Sequence, residues 1–449
     1  MLDRLIKSIV ILFIIFSVLP YLPEALNDIV YGKVSYYKFG INKPLFGISL
    51  RFLKDYLLIL LLLLSFIKDI GIRSKQAFMK NALLYYSVLF IIIYGGSVLV
   101  IEMKGMNVPQ LVAGIRPLIL ALACVKLTET FRELKFIKSI FHVLVGLLFI
   151  ELIVIVAQYM VYMKVYGATN PFSLRLLGTF GGISLAGYFA VGSASVFYVL
   201  RSKKFAELKL KYLNILQLCC FVVAGISGTR AALIACVLIM AACLVKHLIE
   251  NDKSNKLNFL LISMLFFSSV AAPYLIQIVT KVAQRGDILQ VQLEDGRIKV
   301  IQDFIENNPT FNVLFGRGIG YGTNTSVLLN KQYNLDLKTE IVDGTINAII
   351  VQYGFVALLI AIILVAGWVL LQIRNSKISA TDTVVLVIVG VVLCFATNIL
   401  EQYAFLILFS VAYFLLQWKS SLSEKNEQDT VDGRSNSLRT PPIGTLNQL

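Results

Sequence analysis

Arginines set beside glycine or proline are the first groups in this sequence equipped for chemistry. Arg116 stands in Ala113-Gly114-Ile115-Arg116-Pro117, and Arg175 in Ser173-Leu174-Arg175-Leu176-Leu177-Gly178-Thr179-Phe180. Arg230 follows Ser227-Gly228-Thr229, and Arg317 sits in the run Leu314-Phe315-Gly316-Arg317-Gly318-Ile319-Gly320-Tyr321-Gly322. A guanidinium is a rigid fork of donors that can grip a phosphate or pyrophosphate at two points. Taken singly, each arginine reads first as a packing or snorkelling residue. Taken together they fit one cationic site. The glycine run imitates a phosphate-cradling loop, but no βαβ pattern surrounds it. Glycines that permit tight turns against a packed surface are the simpler reading. A backbone that closely approaches a sugar or phosphate is the other.

The elements that must position these residues follow from composition. The chain has 449 residues, with 58% hydrophobic and only 15% charged, where soluble domains carry about 25% charged. This excludes a water-soluble enzyme, a disulfide-built secreted module and a disordered chain. Cys124, Cys219, Cys220, Cys236, Cys243 and Cys394 all lie in apolar runs without metal-ligand spacing. A helix needs roughly 20 apolar residues to cross a bilayer, because lipid offers no partner for backbone amides. Runs of that kind predict an all-α, polytopic membrane protein of about twelve spans. They cover 5–22, 47–67, 81–101, 109–127, 136–163, 181–200, 211–227, 230–247, 257–280, 345–372, 382–400 and 403–418. The pair 211–227 and 230–247 is separated only by Gly228 and Thr229, so a re-entrant hairpin is an alternative there. Residues 1–418 thus form a single membrane domain.

Lys and Arg collect in alternate short loops, at 68–80, 132–138, 201–211, 246–256 and 374–377. The positive-inside rule makes those loops cytoplasmic, although Lys33, Lys38 and Lys43 in the first outer loop dissent. Both termini are then cytoplasmic, and much of the net charge of +15 is an orientation signal, with no nucleic-acid partner implied. The first apolar run lacks a small-x-small cleavage site and reads as an uncleaved span. The polar tail 419–449 reads as a disordered cytoplasmic extension. Residues 281–342 form the one large extracytoplasmic loop. Within it Ile298, Ile301, Phe304 and Ile305 recur at helical spacing until Asn308-Pro309, which predicts a helix lying on the membrane surface.

Charged residues inside spans default to function. Arg51 and Asp55 stand at i,i+4 near the outer end of the second span, either as a mutually neutralising pair or as part of the site. Glu151 lies mid-span and reads as a contact between helices. His142 and His247 both fall near the cytoplasmic side, so neither is available as a base on the outer face.

In their order along the chain these pieces resemble the O-antigen polymerase and O-antigen ligase superfamily, over roughly residues 1–418. The matching segments are Gly114–Pro117, Arg175-x-x-Gly178-Thr179-Phe180, Ser227-Gly228-Thr229-Arg230-Ala231 and Leu314-Phe315-Gly316-Arg317-Gly318-x-Gly320. Val342-Asp343-Gly344-Thr345-Ile346-Asn347 and Gln352-Tyr353-Gly354 complete the set. The resemblance implies a metal-independent, class C glycosyltransferase-like enzyme of a bacterial inner membrane, with no cofactor. Its substrates would be undecaprenyl-pyrophosphate-linked oligosaccharides, presented within membrane lipid on the outer leaflet. A flippase and a chain-length regulator of the same pathway are possible partners.

Ligases of this superfamily carry a histidine where the large loop re-enters the membrane, and this chain has Asp343 there. A carboxylate also serves as general base. The departure favours polymerase over ligase and leaves the base open between Asp343 and Glu340. Asp343 could equally cap the following helix. In this reading Arg116, Arg175 and Arg230 stabilise the leaving pyrophosphate, while Arg317, Gly318, Gly320, Tyr321 and Arg51 bind substrate. The product is a capsule, exopolysaccharide or O-antigen chain. A ligase acting on another acceptor stays open, and so does a lipid-linked-oligosaccharide transporter. Against the transporter, residues 1–227 and 230–418 show no matching halves of the kind such proteins commonly carry.

Overall fold

The computed structural model describes residues 2–32, 50–70, 75–102, 108–130, 134–166, 176–180, 184–203, 210–249, 297–323, 342, 344–374 and 380–417. All regular structure among them is helical. The chain forms α1 (Leu2–Val18), α2 (Leu22–Val30), α3 (Leu50–Ile70), α4 (Lys75–Glu102), α5 (Val108–Thr130), α6 (Leu134–Tyr166) and α7 (Leu185–Ser202). It continues as α8 (Leu210–Ile226), α9 (Arg230–Ile249), α10 (Arg297–Asn307), α11 (Thr310–Phe315), α12 (Thr345–Arg374), α13 (Ala380–Ala396) and α14 (Tyr403–Gln417). A 3-10 turn, Ile399–Glu401, joins the last two. The apolar runs therefore become helices at nearly the expected bounds. The expected span 257–280, the tail 419–449 and much of the 281–342 loop lie outside the described residues.

Two boundaries differ for local reasons. The first run does not continue to residue 22. Pro20 lacks an amide hydrogen and cannot extend α1, while Pro23 occupies the first turn of α2, where that loss costs nothing. The run expected at 382–400 stops at Ala396 and turns through Thr397–Gln402.

At the centre lies α7, buried at every position from Ala186 to Leu200. Its small residues let neighbours come close. A Cβ at Gly187 would meet Ser227, Thr229 and Ala232, and one at Gly192 would meet Leu408 and Phe405. Around α7 pack α8, α9 and α14, with α5, α6, α1 and α3 beyond them. The α8–α9 pair consists of two helices of 17 and 20 residues that pack on each other around the Ser227–Thr229 turn.

Contacts sort the helix ends into two groups. At one end the start of α3 meets α5 and α14 through Asp55, Arg116 and Tyr403. The same end holds the tip of the α8–α9 turn against the start of α7, and Thr345 against Thr397. At the opposite end Asp3 pairs with Lys68 at 2.8 Å, and Lys126 with Asp69 at 2.6 Å. Asp382, Tyr198, Ser202 and Lys246 meet there too. Of the basic residues at loop edges, Lys68, Lys203 and Lys246 lie at this opposite end.

Among the described residues, three helical stretches are long and apolar enough to cross a membrane: Leu2–Val30, Lys135–Val165 and Thr345–Leu371. Shorter apolar helices cover Tyr85–Ile101, Tyr212–Ile226, Ala380–Ala396 and Tyr403–Leu416. The second half of α12 exposes Leu359, Ile363, Leu364, Leu370 and Leu371 by 59–66% each. A helix apolar on all sides has no stable place in water unless something covers it. These surfaces point to association with a membrane.

Candidate functional site

The glycine run is an inserted wedge. Gly316, Gly318 and Gly320 have φ of 82°, 98° and 81°, values that side chains strongly disfavour. Their backbone touches neighbouring backbone: a Cβ on Gly318 would lie 2.5 Å from Leu99 Cα, and one on Gly320 2.0 Å from the Gln110 carbonyl oxygen. Gly114 accepts the wedge from the other side, where a Cβ would come within 2.4 Å of the Gly320 nitrogen. That explains the glycine two residues before Arg116.

Every amide from Gly316 to Tyr321 donates within the protein. The acceptors are the carbonyls of Asn312, Val351, Gln352 and Gly95, then Gln352 Oε1 and the Gly318 carbonyl. The run thus leaves no N–H of 316–321 aimed at a phosphate. Gly318 and Gly320 work by packing, and only the Arg317 side chain has a charge to offer. That guanidinium stacks on the Tyr321 ring at 4.3 Å and donates to its hydroxyl. Beneath the wedge, α10 lays Ile301 and Phe304 on the first half of α12. Its Ile298 and Ile305 stay about half exposed (45% and 46%), so the expected stripe splits, with its inner part turned onto protein.

Arg116 is committed to a partner that spacing along one helix did not indicate. Its Nε and Nη2 donate to the two carboxylate oxygens of Asp55 at 2.9 and 3.0 Å. A bidentate pair of this kind fixes the plane of both groups. The Tyr403 ring lies 4.6 Å below the guanidinium and 4.8 Å from Lys54 Nζ. Asp55 therefore spends both oxygens on Arg116, and Arg51 is not its necessary counter-ion. The pair is about one quarter exposed on each side, so it borders the surface. Glu401, in the turn before α14, adds a second negative charge near Arg116.

Arg230 opens α9 and is exposed. Ser227 Oγ donates to the Ala224 carbonyl at 2.8 Å and lies 3.1 Å from Thr229 Oγ1, while Gly228 takes φ of 69°. The turn is rigid, and it is pinned against Gly187. Among the described residues no side chain pairs with the Arg230 guanidinium. It is a charged fork held on a fixed base.

Glu151 is fully buried, but its partner is not another helix. Its Oε2 accepts from the Thr179 amide at 3.0 Å and lies 2.5 Å from the Thr179 hydroxyl, which also touches the Val18 carbonyl at 2.6 Å. Gln158 bonds both the N–H and the carbonyl of Gly178, at 2.9 and 3.2 Å. The amide of Tyr21 then donates to the Thr179 carbonyl at 3.0 Å. One carboxyl and one amide on α6 thus clamp the Leu176–Phe180 segment to the α1–α2 corner. Gly178 has φ of 59°, and a Cβ there would strike Glu151 Oε1. The Gly178-Thr179 pair was legible as a motif. Its receptors, Gln158 for Gly178 and Glu151 for Thr179, lie 20 and 28 residues earlier and were not.

Arg175, Glu340 and Asp343 lie outside the described residues, as does the Arg51 side chain. Their surroundings are held, however. Val342 donates to the Gly322 carbonyl at 2.9 Å, and Thr345 donates to the Thr397 carbonyl through N–H (3.0 Å) and hydroxyl (2.8 Å). His142 sits at the opposite end, with Nδ1 2.7 Å from the Lys138 carbonyl. Among the described residues no group of three His, Cys, Asp or Glu side chains could hold a metal ion. The six cysteines are free and none is exposed.

What this end of the molecule offers is guanidinium groups on rigid supports beside buried polar side chains, an arrangement suited to an anionic leaving group. The chain matches no protein-family model, and no curated protein matches it.

Proposed function

We propose that this chain is a multi-pass polymerase of lipid-linked oligosaccharide repeat units, of the O-antigen, capsule or exopolysaccharide kind. It would work at the membrane face where the glycine wedge and the arginines gather. The observation that carries the reading is the exposed Arg230, without a partner among the described residues, on its pinned Ser227–Thr229 turn. The Asp55–Arg116–Tyr403 cluster and the wedge share its end of the bundle, and Arg230, Arg116 and the wedge belong to the segments on which the resemblance rests.

The chemistry is a displacement at the anomeric carbon of the growing glycan, held on undecaprenyl pyrophosphate. A hydroxyl of the incoming unit's terminal sugar attacks that carbon. The carbon–oxygen bond to pyrophosphate breaks, and its electron pair leaves with the phosphate. The hydroxyl proton passes to a carboxylate, Asp343 or Glu340. Charge grows on the departing pyrophosphate, and Arg230 and Arg175 are placed in the sequence to meet it. Arg116, with two nitrogens on Asp55, holds a fixed orientation and adds positive potential. Positioning two lipid-anchored substrates in one site supplies much of the acceleration.

The test is a strain making Arg230→Ala or Asp343→Asn at normal protein levels. Loss of polymer with accumulation of single lipid-linked units is expected, by about 10²–10³-fold for the arginine. Long lipid-linked polymer left unattached would indicate a ligase instead. Wild-type chain lengths in both strains would remove the assignment.

A further inference from the structure

Among the described residues, little covers the second half of α12. The six successive residues Ile362 to Gly367 are all exposed, and at 3.6 residues per turn such a stretch points in every direction around the helix axis. Only near its end does Trp368 meet another ring, that of Tyr413 at 4.9 Å. The glycines of α7 have neighbours where a Cβ would stand, but at Gly367 nothing lies within 4 Å of that position. A glycine inside a helix costs about 1 kcal/mol against alanine. In membrane helices its use is to let a second backbone come close. The bare face thus carries a packing residue without the helix that would pack on it.

The path of the chain selects the occupant. Helix α9 ends at Ile249 and α10 begins at Arg297, so the 47 residues 250–296 connect them outside the described set. The departing end lies beside α13, where Lys246 is 3.2 Å from Asp382 in the first turn. Helix α13 itself begins six residues after Arg374, the last residue of α12. The returning end lies at the other end of α12, where α10 sets Ile301 and Phe304 on its first half. The connecting chain must therefore travel the length of α12, in the opposite direction. Its apolar run 257–280 has 24 residues, about 36 Å as a helix, against about 30 Å for the 20 residues Phe355–Arg374. Ser268, Ser269, Ala271 and Ala272 give that run small residues for close contact. We propose that the run 257–280 packs antiparallel along the second half of α12 and covers its bare face. Lipid would need no glycine there, and nothing at either end of α12 directs a second copy to it. The two feet of the 281–342 segment then stand side by side, so the wedge is fastened from both directions along the chain. This packing does not depend on the polymerase reading.

The experiment uses the full-length protein in membranes. Single variants Ile362→Cys, Ile363→Cys, Leu364→Cys and Val365→Cys sample each side of α12 in turn and are labelled with a lipid-soluble maleimide. None of the six native cysteines is exposed, and wild type gives their background. At least one of the four positions is expected to lose labelling while the others keep it. Each is then combined with Phe266→Cys, Phe267→Cys, Ser268→Cys or Ser269→Cys, one turn at the middle of the run, and oxidised. Disulfides need close Cα atoms, so linkage within one chain, read by mass spectrometry of the joined peptides, is expected for pairs on a single face. Labelling of all four α12 positions would give the face to lipid, and linkage only between two chains would give it to a second copy. Either result, or no linked pair in the whole set, would overturn the packing. The single variants keep the test readable where a double variant fails to fold.

Discussion

The two ends of the helix bundle use charge in opposite ways. At the end opposite the glycine wedge, charges are paired and closed. Lys126 and Asp69 meet at 2.6 Å with side chains 2% and 8% exposed, and Tyr85 completes the carboxylate's partners at 2.8 Å. Asp382 receives Tyr198, Ser202 and Lys246 together. Nearby, burial pushes the Lys203 ammonium below its usual range, Lys246 adding to the effect and Asp382 opposing it. At the glycine-wedge end, Arg230 has no described partner, the Asp55–Arg116 pair borders the surface, and Asn398 Oδ1 and Gln402 Oε1 have no hydrogen-bond partner among the described residues. A protein that can satisfy its buried polar groups so fully at one end has the means to do so at the other. The contrast is what supports the proposal of chemistry at the wedge end.

Breaking the closed end gives the largest effect. Lys126→Met strands the Asp69 carboxylate and lowers unfolding stability by about 3–5 kcal/mol. The double variant Lys126→Met with Asp69→Leu recovers most of that loss, and polymer length per folded molecule stays unchanged in both. A shorter product from correctly folded double variant would put chemistry at the wrong end. At the open end, Asp55→Asn keeps the helices but loosens the orientation of Arg116. The expected loss is about 10²-fold in polymer formation, with little change in melting temperature. An equal fall in stability and activity would make that pair structural like its counterpart.

The Glu151 clamp lies between these extremes. Glu151→Ala leaves the Thr179 amide and hydroxyl short of a partner, at a cost of about 1–3 kcal/mol. Glu151→Gln, which can still bond both, recovers at least half of it in thermal unfolding. The smallest change is Lys68→Ala. Its ion pair with Asp3 is well exposed, at 38% and 61%, and solvent screening limits the loss to about 0.5 kcal/mol or less.

Hydropathy carried the helices because a long apolar run has few other stable forms. It failed where a single residue vetoes continuation, as Pro20 does. The glycine run was legible as a close-packing element, since only glycine tolerates φ near 80–100° against a neighbour's backbone. What it packs into was not, because α4, α5 and α12 come from distant parts of the chain. The choice of Arg116 by Asp55 was likewise hidden: spacing along α3 shows who can meet on one helix and says nothing of the facing one. The bare second half of α12 carried no signal either, because hydropathy reports that a run is apolar and not which of its faces a neighbour covers.

The central claim is that the wedge end joins lipid-linked units. It is tested most directly by reconstituting the purified chain in liposomes with one lipid-linked repeat unit as sole substrate. The account predicts a ladder of products with wild type, reduced about 10²–10³-fold by Arg230→Ala and unaffected per folded molecule by the Lys126→Met, Asp69→Leu pair. A wild-type protein that only moves the unit across the bilayer, or a full ladder from Arg230→Ala, would contradict it.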